Sequence, residues 1–367
     1  MQLAQNTLAN ASDRQLPTAP FGHNGPLVTR LGYGLMGLSC FYGPPKPDHE
    51  RLAILDAVFE QGCRFWDTAD CYADSEDLLA KWFALNPEKR SKIFLATKVG
   101  FRFDNGEMTI DSSPEFVIKA AEKSLSRLGV EYIDLLYAHR VDKTTPIEKT
   151  MEAMKQLKEQ GKIRHIGLSE VSSETLRRAC KVEKVDAVQV EYSPFSLDIE
   201  SEQIGLLKTV RQLGVAIVAY APLGRGMLGG NIRSNSDLSD DDTRKSSPRF
   251  SEENFPKNLK LVDTLTSIAE KKNITASQLT LSWLLAQGND VFPVSAFPLP
   301  AITLHPLIPF FLPLCPLTLA ISTVLLLFLP ALSLPYTHSL SFTLIFPPYL
   351  SFLSFIPIST AYLQNSL

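Results

Sequence analysis

Ile133-Asp134-Leu135-Leu136-Tyr137-Ala138-His139 is followed by a helical pattern over residues 146–160, a stop at Gly161, and then His165-Ile166-Gly167-Leu168-Ser169. This run decides the fold. Both ends are short and largely apolar, the mark of strands buried on two faces. The middle begins on Pro146 and ends before a glycine, residues that suit the first turn of a helix and the position just past its end. Two buried strands joined by a helix form a parallel βαβ unit.

The rhythm extends in both directions. Strand-like segments occupy residues 64–67, 93–98, 187–191 and 215–220, and residues 31–37 make a glycine-rich first strand. Helical patterns cover residues 48–61, 113–128, 172–181, 202–213, 258–271 and 276–287. Asp48 and Ser113 supply N-caps, and Gly62 and Gly129 supply stops. Seven repeats precede Asp290, and residues 290–294 begin an eighth strand. Eight strands close a barrel, whereas a doubly wound open sheet usually has fewer. The pattern therefore predicts an α/β chain folded as a (β/α)8 TIM barrel. Asn24-Gly25-Pro26 reads as a turn between two short strands ahead of it. Residues 223–256 break the rhythm, and a long loop after a barrel strand is usually functional.

The 367 residues carry a formal net charge of -3. That balance argues against nucleic acid or an anionic membrane as the main partner. The five cysteines, Cys40, Cys63, Cys71, Cys180 and Cys315, form no CxxC pair and meet no histidines at zinc spacing. The expectation is free thiols, no metal site, and a reducing, cytoplasmic compartment. The first residues lack an apolar core, so no secretory signal is expected.

Active sites of such barrels lie where strands end. Asp67 ends the second strand, Lys98 the third and His139 the fourth, while Tyr72 follows just after Asp67. Reduction of a carbonyl by hydride needs a proton donor to the oxygen. A free tyrosine, with a pKa of ~10, is a weak acid at neutral pH. A nearby lysine ammonium lowers that value, and a buried lysine needs an anion such as Asp67. His139 would orient the carbonyl. Plainer readings stand beside these: Asp67 capping a helix, Tyr72 packing, Lys98 on the surface, His139 structural.

Six stretches, in register, resemble the aldo-keto reductase superfamily. They are Asp67-Thr-Ala-Asp-Cys-Tyr72, Leu95-Ala-Thr-Lys98, Asp134-Leu-Leu-Tyr-Ala-His139-Arg-Val-Asp142, Gly161-Lys-Ile-Arg-His-Ile-Gly-Leu-Ser169, Gln189-Val-Glu-Tyr-Ser193 and Tyr220-Ala-Pro-Leu-Gly-Arg-Gly226. The His-Arg-Val-Asp run and Tyr-Ser-Pro-Phe-Ser resemble a microbial and fungal, pyridoxal-reductase-like branch. The resemblance implies NADPH-dependent reduction of a small aldehyde or ketone. It implies Tyr72 as the acid, Lys98 and Asp67 as its partners, and His139 as the substrate-orienting residue. Ser169 and Gln189 would bind the nicotinamide carboxamide, and Tyr220 would stack on the ring. Leu223, Gly224, Arg225 and Gly226 would begin the loop over the pyrophosphate.

The resemblance stops near Pro293. From Val291 to the end there is no Asp, Glu, Lys or Arg. The expected division is an extension over 1–26, the barrel over 27–293, and an unrelated low-complexity apolar tail over 294–367. Relatives carry basic residues for the adenosine 2′-phosphate here, then a final helix, so the last βα unit reads as incomplete. Prolines interrupt the tail, and its longest proline-free stretch, residues 317–329, falls short of the ~20 residues that cross a bilayer. Its Leu, Pro, Ser and Phe bias fits translated pyrimidine-rich non-coding sequence. Poor solubility and weakened NADPH binding would follow. The alternative is a catalytically impaired or regulatory barrel.

Overall fold

The computed structural model describes residues 16–104 and 107–296. In chain order the strands are β1 (Thr18–Pro20), β2 (Leu27–Thr29), β3 (Gly32–Gly34), β4 (Phe65–Asp67), β5 (Phe94–Val99), β6 (Phe101–Asp104), β7 (Glu107–Ile110), β8 (Ile133–Ala138), β9 (Ile163–Ser169), β10 (Ala187–Glu191), β11 (Ala216–Tyr220) and β12 (Val291–Ser295). The helices are α1 (Met36–Ser39), α2 (Asp48–Glu60), α3 (Ser75–Leu85), α4 (Pro114–Leu128), α5 (Ile147–Glu159), α6 (Ser173–Val182), α7 (Leu206–Leu213), α8 (Phe255–Glu270) and α9 (Ala276–Ala286).

Eight strands close in the order β3-β4-β5-β8-β9-β10-β11-β12. Neighbours run parallel, and β12 closes on β3 through Val294 opposite Gly32 and Ser295 opposite Tyr33. The TIM barrel expected from the strand–helix rhythm is therefore the fold. Its last strand runs past Pro293, because the closing pairs fall on the next two residues, Val294 and Ser295. The eighth helix and the tail readings concern residues 297–367, which lie outside the described residues.

The segment read as an extension also joins the core. β1 and β2 pair antiparallel around the expected turn. Phe21, fully buried between them, plugs the amino-terminal end of the barrel. Its ring meets Phe65, Phe94 and Phe292 at centroid distances of 5.7, 5.0 and 4.9 Å. Above it the interior is filled by Ala96, Leu135, Tyr137, Ala187, Val218 and Val294. Gly167 is glycine for space, since a Cβ there would run into the Tyr137 ring.

Local differences have local causes. α7 begins at Leu206 rather than 202, because Gly205 is left-handed at φ +59° and breaks the preceding turn. Asp48 is the first helical residue, not the cap, and spends its carboxylate on Arg51 and Lys81. β6 and β7 form an antiparallel hairpin over the end of β5 that the sequence reading did not separate.

Candidate active site

Side chains alternate along a strand, so residues two apart share a face. Leu135 and Tyr137 point into the barrel, which puts His139 on the same side at the carboxyl end. The same step from Phe65 leads to Asp67, from Ala96 to Lys98, from Ala187 to Gln189, and from Val218 to Tyr220. Asp67, Lys98, His139, Ser169 and Gln189 are all buried, and Tyr72 and Tyr220 are half-buried.

Lys98 is the hub. Its Nζ donates to Asp67 Oδ1 at 2.5 Å and to the Thr68 carbonyl at 2.9 Å, and it stands 3.5 Å from Tyr72 Oη. Asp67 Oδ2 accepts from Gln189 Nε2 at 2.8 Å. Burial excludes the surface-charge reading of Lys98, and Asp67 caps no helix with oxygens that Lys98 and Gln189 both occupy. Burial, the largest influence, pulls the Lys98 pKa down, yet Asp67 and Tyr72 together raise it above its ordinary value.

Tyr72 corrects an expectation. Lys98 does favour its phenolate, but burial is the larger effect and Asp67 adds to it, so the phenol is pushed up to about 12. An ammonium 3.5 Å from the oxygen is worth about 5 kcal/mol at an effective dielectric of about 20. Desolvation of the phenolate outweighs the ammonium's pull.

The His139 ring lies edge-on to Tyr72 at 5.8 Å and to Phe101 at 4.7 Å. Burial first, then the charges of Lys98 and Arg140, push its pKa down to about 2, so it is a neutral imidazole at any working pH. Cys71 Sγ stands 3.5 Å from its Nδ1. A thiol hydrogen directed at Nδ1 would leave the ring proton on Nε2.

Ser169 Oγ accepts from Arg140 Nη1 at 3.0 Å. Arg140 was not singled out from the sequence, although it follows His139 directly at a strand end, where polar residues are the ones to question. Phe41 is half exposed and meets Tyr72 edge-on at 6.5 Å. Burial, then Glu170 and Glu191, raise the Tyr220 phenol well above its ordinary value.

The stretch from Leu223 onward turns sharply. Gly224, Arg225 and Gly226 are all left-handed, at φ +57°, +56° and +97°. Leu223, Gly224 and Gly226 are buried, and Arg225 is exposed. The loop beyond reaches back to the segment after β3. Thr243 N and Oγ1 donate to the Phe41 carbonyl at 3.2 and 2.9 Å, and Tyr42 bridges Asp242. Arg244 holds Asp242 and donates to the Arg225 carbonyl at 2.9 Å.

Residues 30–302 match the aldo/keto reductase family. An aldo-keto reductase from Strobilurus tenacellus is 49% identical over 280 residues, covering 75% of this chain and 81% of that protein. One from Schizosaccharomyces pombe, named for NADP(+), is 46% identical over 283 residues, 76% of this chain and 82% of that one. Among solved structures, a glycerol dehydrogenase from Gluconobacter oxydans aligns with a TM-score of 0.73 at 26% identity, over 90% of this chain and 99% of that one. With the barrel, its rim and these likenesses in hand, the chain belongs to the aldo/keto reductase family, whose members are NADP(H)-dependent oxidoreductases acting on small carbonyl compounds.

Proposed function

We propose that this chain reduces an aldehyde or ketone to an alcohol with NADPH, Tyr72 giving the proton to the carbonyl oxygen. The single observation that carries this reading is Lys98, buried with its ammonium between Asp67 and the Tyr72 hydroxyl. With its phenol pushed up to about 12, Tyr72 holds its proton throughout the neutral range. Lys98 then stabilises the phenolate left behind, at the moment it forms, without reorganising. Asp67 keeps Lys98 charged. His139, neutral, donates from Nε2 and aims the carbonyl oxygen at Tyr72.

The rim residues fit a dihydronicotinamide by the chemistry of their donors. A carboxamide has one acceptor and two donors. Ser169 Oγ can donate its hydrogen while accepting from Arg140, and Gln189 keeps its carbonyl oxygen as an acceptor while its amide holds Asp67. Tyr220 stands at the end of the neighbouring strand as the stacking ring, and Leu223, Gly224, Arg225 and Gly226 begin the loop over the pyrophosphate. When bound, the cofactor supplies a hydride from C4 of its nicotinamide. Phe41, Phe101 and Tyr72 make the mouth aromatic, which favours an aromatic aldehyde. Pyridoxal belongs in the first substrate panel on the strength of the two branch-like motifs. The reaction belongs in a reducing, cytoplasmic compartment, in keeping with the free thiols of Cys40, Cys63, Cys71 and Cys180.

The test is NADPH oxidation by the full chain with an aromatic aldehyde, alongside Tyr72→Phe. Turnover should fall by about 10²–10⁴-fold in the variant while cofactor binding persists. Undiminished turnover removes Tyr72 as the acid.

A further inference from the structure

Neither Asp70 nor Cys71 touches the reacting atoms in the scheme above, where Cys71 only sets the His139 tautomer, yet both lie close to His139. One ligand-type atom from each of Asp70, Cys71 and His139 lies within 4.8 Å of the other two. We propose that these three side chains form an inhibitory site for a zinc-class divalent cation at the edge of the substrate space. The binding claim stands apart from the reductase reading, and the inhibition claim rests on it.

Geometry carries the argument. Zinc holds a thiolate sulfur at about 2.3 Å and an imidazole nitrogen at about 2.0–2.1 Å, near tetrahedral angles. Two such ligands on one ion stand roughly 3.5 Å apart. Cys71 Sγ and His139 Nδ1 are 3.5 Å apart. The third arm, a carboxylate oxygen of Asp70, lies within 4.8 Å of both. An independent observation points the same way: Asp70 Oδ1 is buried and has no hydrogen-bond partner among the described residues. A buried carboxylate oxygen without a donor, on a residue within 4.8 Å of a thiol and a neutral imidazole, leaves an acceptor that a cation would satisfy.

The donor set selects the ion. One sulfur, one nitrogen and one oxygen suit Zn²⁺ or Co²⁺, not Mg²⁺ or Ca²⁺, which want oxygen throughout. Three protein ligands leave a fourth position open to water. On binding, the Cys71 thiol proton passes to solvent and the thiolate sulfur takes its place on the metal; nothing is oxidised or reduced. An ion on Nδ1 replaces the Cys71 thiol hydrogen there and locks the His139 ring, so that its Nε2–H can no longer adjust to an incoming carbonyl. Lys98 and Arg140 are the cations that act on His139, and Lys98 is paired with Asp67.

The full chain is titrated with Co²⁺ as a spectroscopic stand-in for Zn²⁺. A thiolate-to-cobalt charge-transfer band should grow in the near ultraviolet and disappear when Zn²⁺ is added. It should be absent in Cys71→Ser. In Asp70→Asn it should survive with at least tenfold weaker cobalt affinity, which guards against a variant that simply fails to fold. Zn²⁺ should inhibit aldehyde reduction, with an inhibition constant raised at least tenfold in both variants. No band with the wild-type chain, or a band unchanged in both variants, overturns the site. A band with those variant effects but no turnover in any sample leaves the metal site standing and removes the reductase reading instead.

Discussion

The Lys98 ammonium lies 2.5 Å from Asp67 Oδ1, with both groups sealed inside the carboxyl end of the barrel. Neither charge is tolerable there alone. Removing one partner of a buried pair is destabilising by about 3–5 kcal/mol, whereas removing both often costs little. Lys98→Met should therefore lower the urea-unfolding free energy by about that amount, and Lys98→Met combined with Asp67→Leu should recover part of it. Equal or greater destabilisation in the double variant would mean that the pair is held for other reasons. Both variants should lose turnover.

His139 makes a prediction about pH. Its pKa is pushed down to about 2 by burial first and then by the neighbouring cations, while the unfolded chain protonates it near about 6.5. The unfolded state thus binds more protons between those values. Its stabilising contribution is complete above about pH 6.5 and erodes as pH falls below it. The same reasoning says that kcat/KM for reduction carries no limb from this imidazole near neutrality. Asp70, raised to about 7 by burial and by Glu76, is the group that titrates there. Any limb near pH 7 should vanish in Asp70→Asn and persist in His139→Gln.

Asp142, from the His-Arg-Val-Asp motif, ties two loops together. Its carboxylate accepts from Ser112 N and Oγ at 2.8 and 2.7 Å and from Thr144 N and Oγ1 at 2.7 and 2.9 Å. Burial pulls its pKa up, but the Ser112 and Thr145 donors outweigh that and hold it well below the usual carboxylate range. A depressed carboxylate stabilises above its unfolded pKa of about 3.9, and the gain is lost as pH falls through the folded value. Asp142→Ala should cost about 1–3 kcal/mol at pH 7 in urea titrations, and less at pH 3.

Phe21 tests the amino-terminal plug. It is fully buried among three aromatic rings. Phe21→Ala should destabilise by about 3–5 kcal/mol and leave NADPH affinity largely unchanged, since the ring sits at the end of the barrel away from the rim. A loss below about 1 kcal/mol would show that the hairpin is dispensable.

The barrel was legible in the chain because its strands are buried on both faces and its helices stop at glycines. Periodicity and punctuation are local signals, and Ile133–Ala138 carries them in full. The ends of the second, third and fourth strands also placed Asp67, Lys98 and His139 at one rim. The hairpin after β5 and the plug were harder to read, because Phe101 and Phe21 owe their positions to distant rings, not to neighbours in sequence.

The sequence alone determined the eight-stranded frame and which residues stand at the strand ends, since both follow from the spacing of apolar side chains. Only the tertiary structure decided the energetics at the rim. Burial depth sets whether Lys98 or desolvation governs Tyr72, and the tilt of neighbouring strands brings Cys71 to His139 across 68 positions of chain. No spacing rule encodes either, because each depends on how much solvent the closed barrel excludes and on which strand becomes whose neighbour.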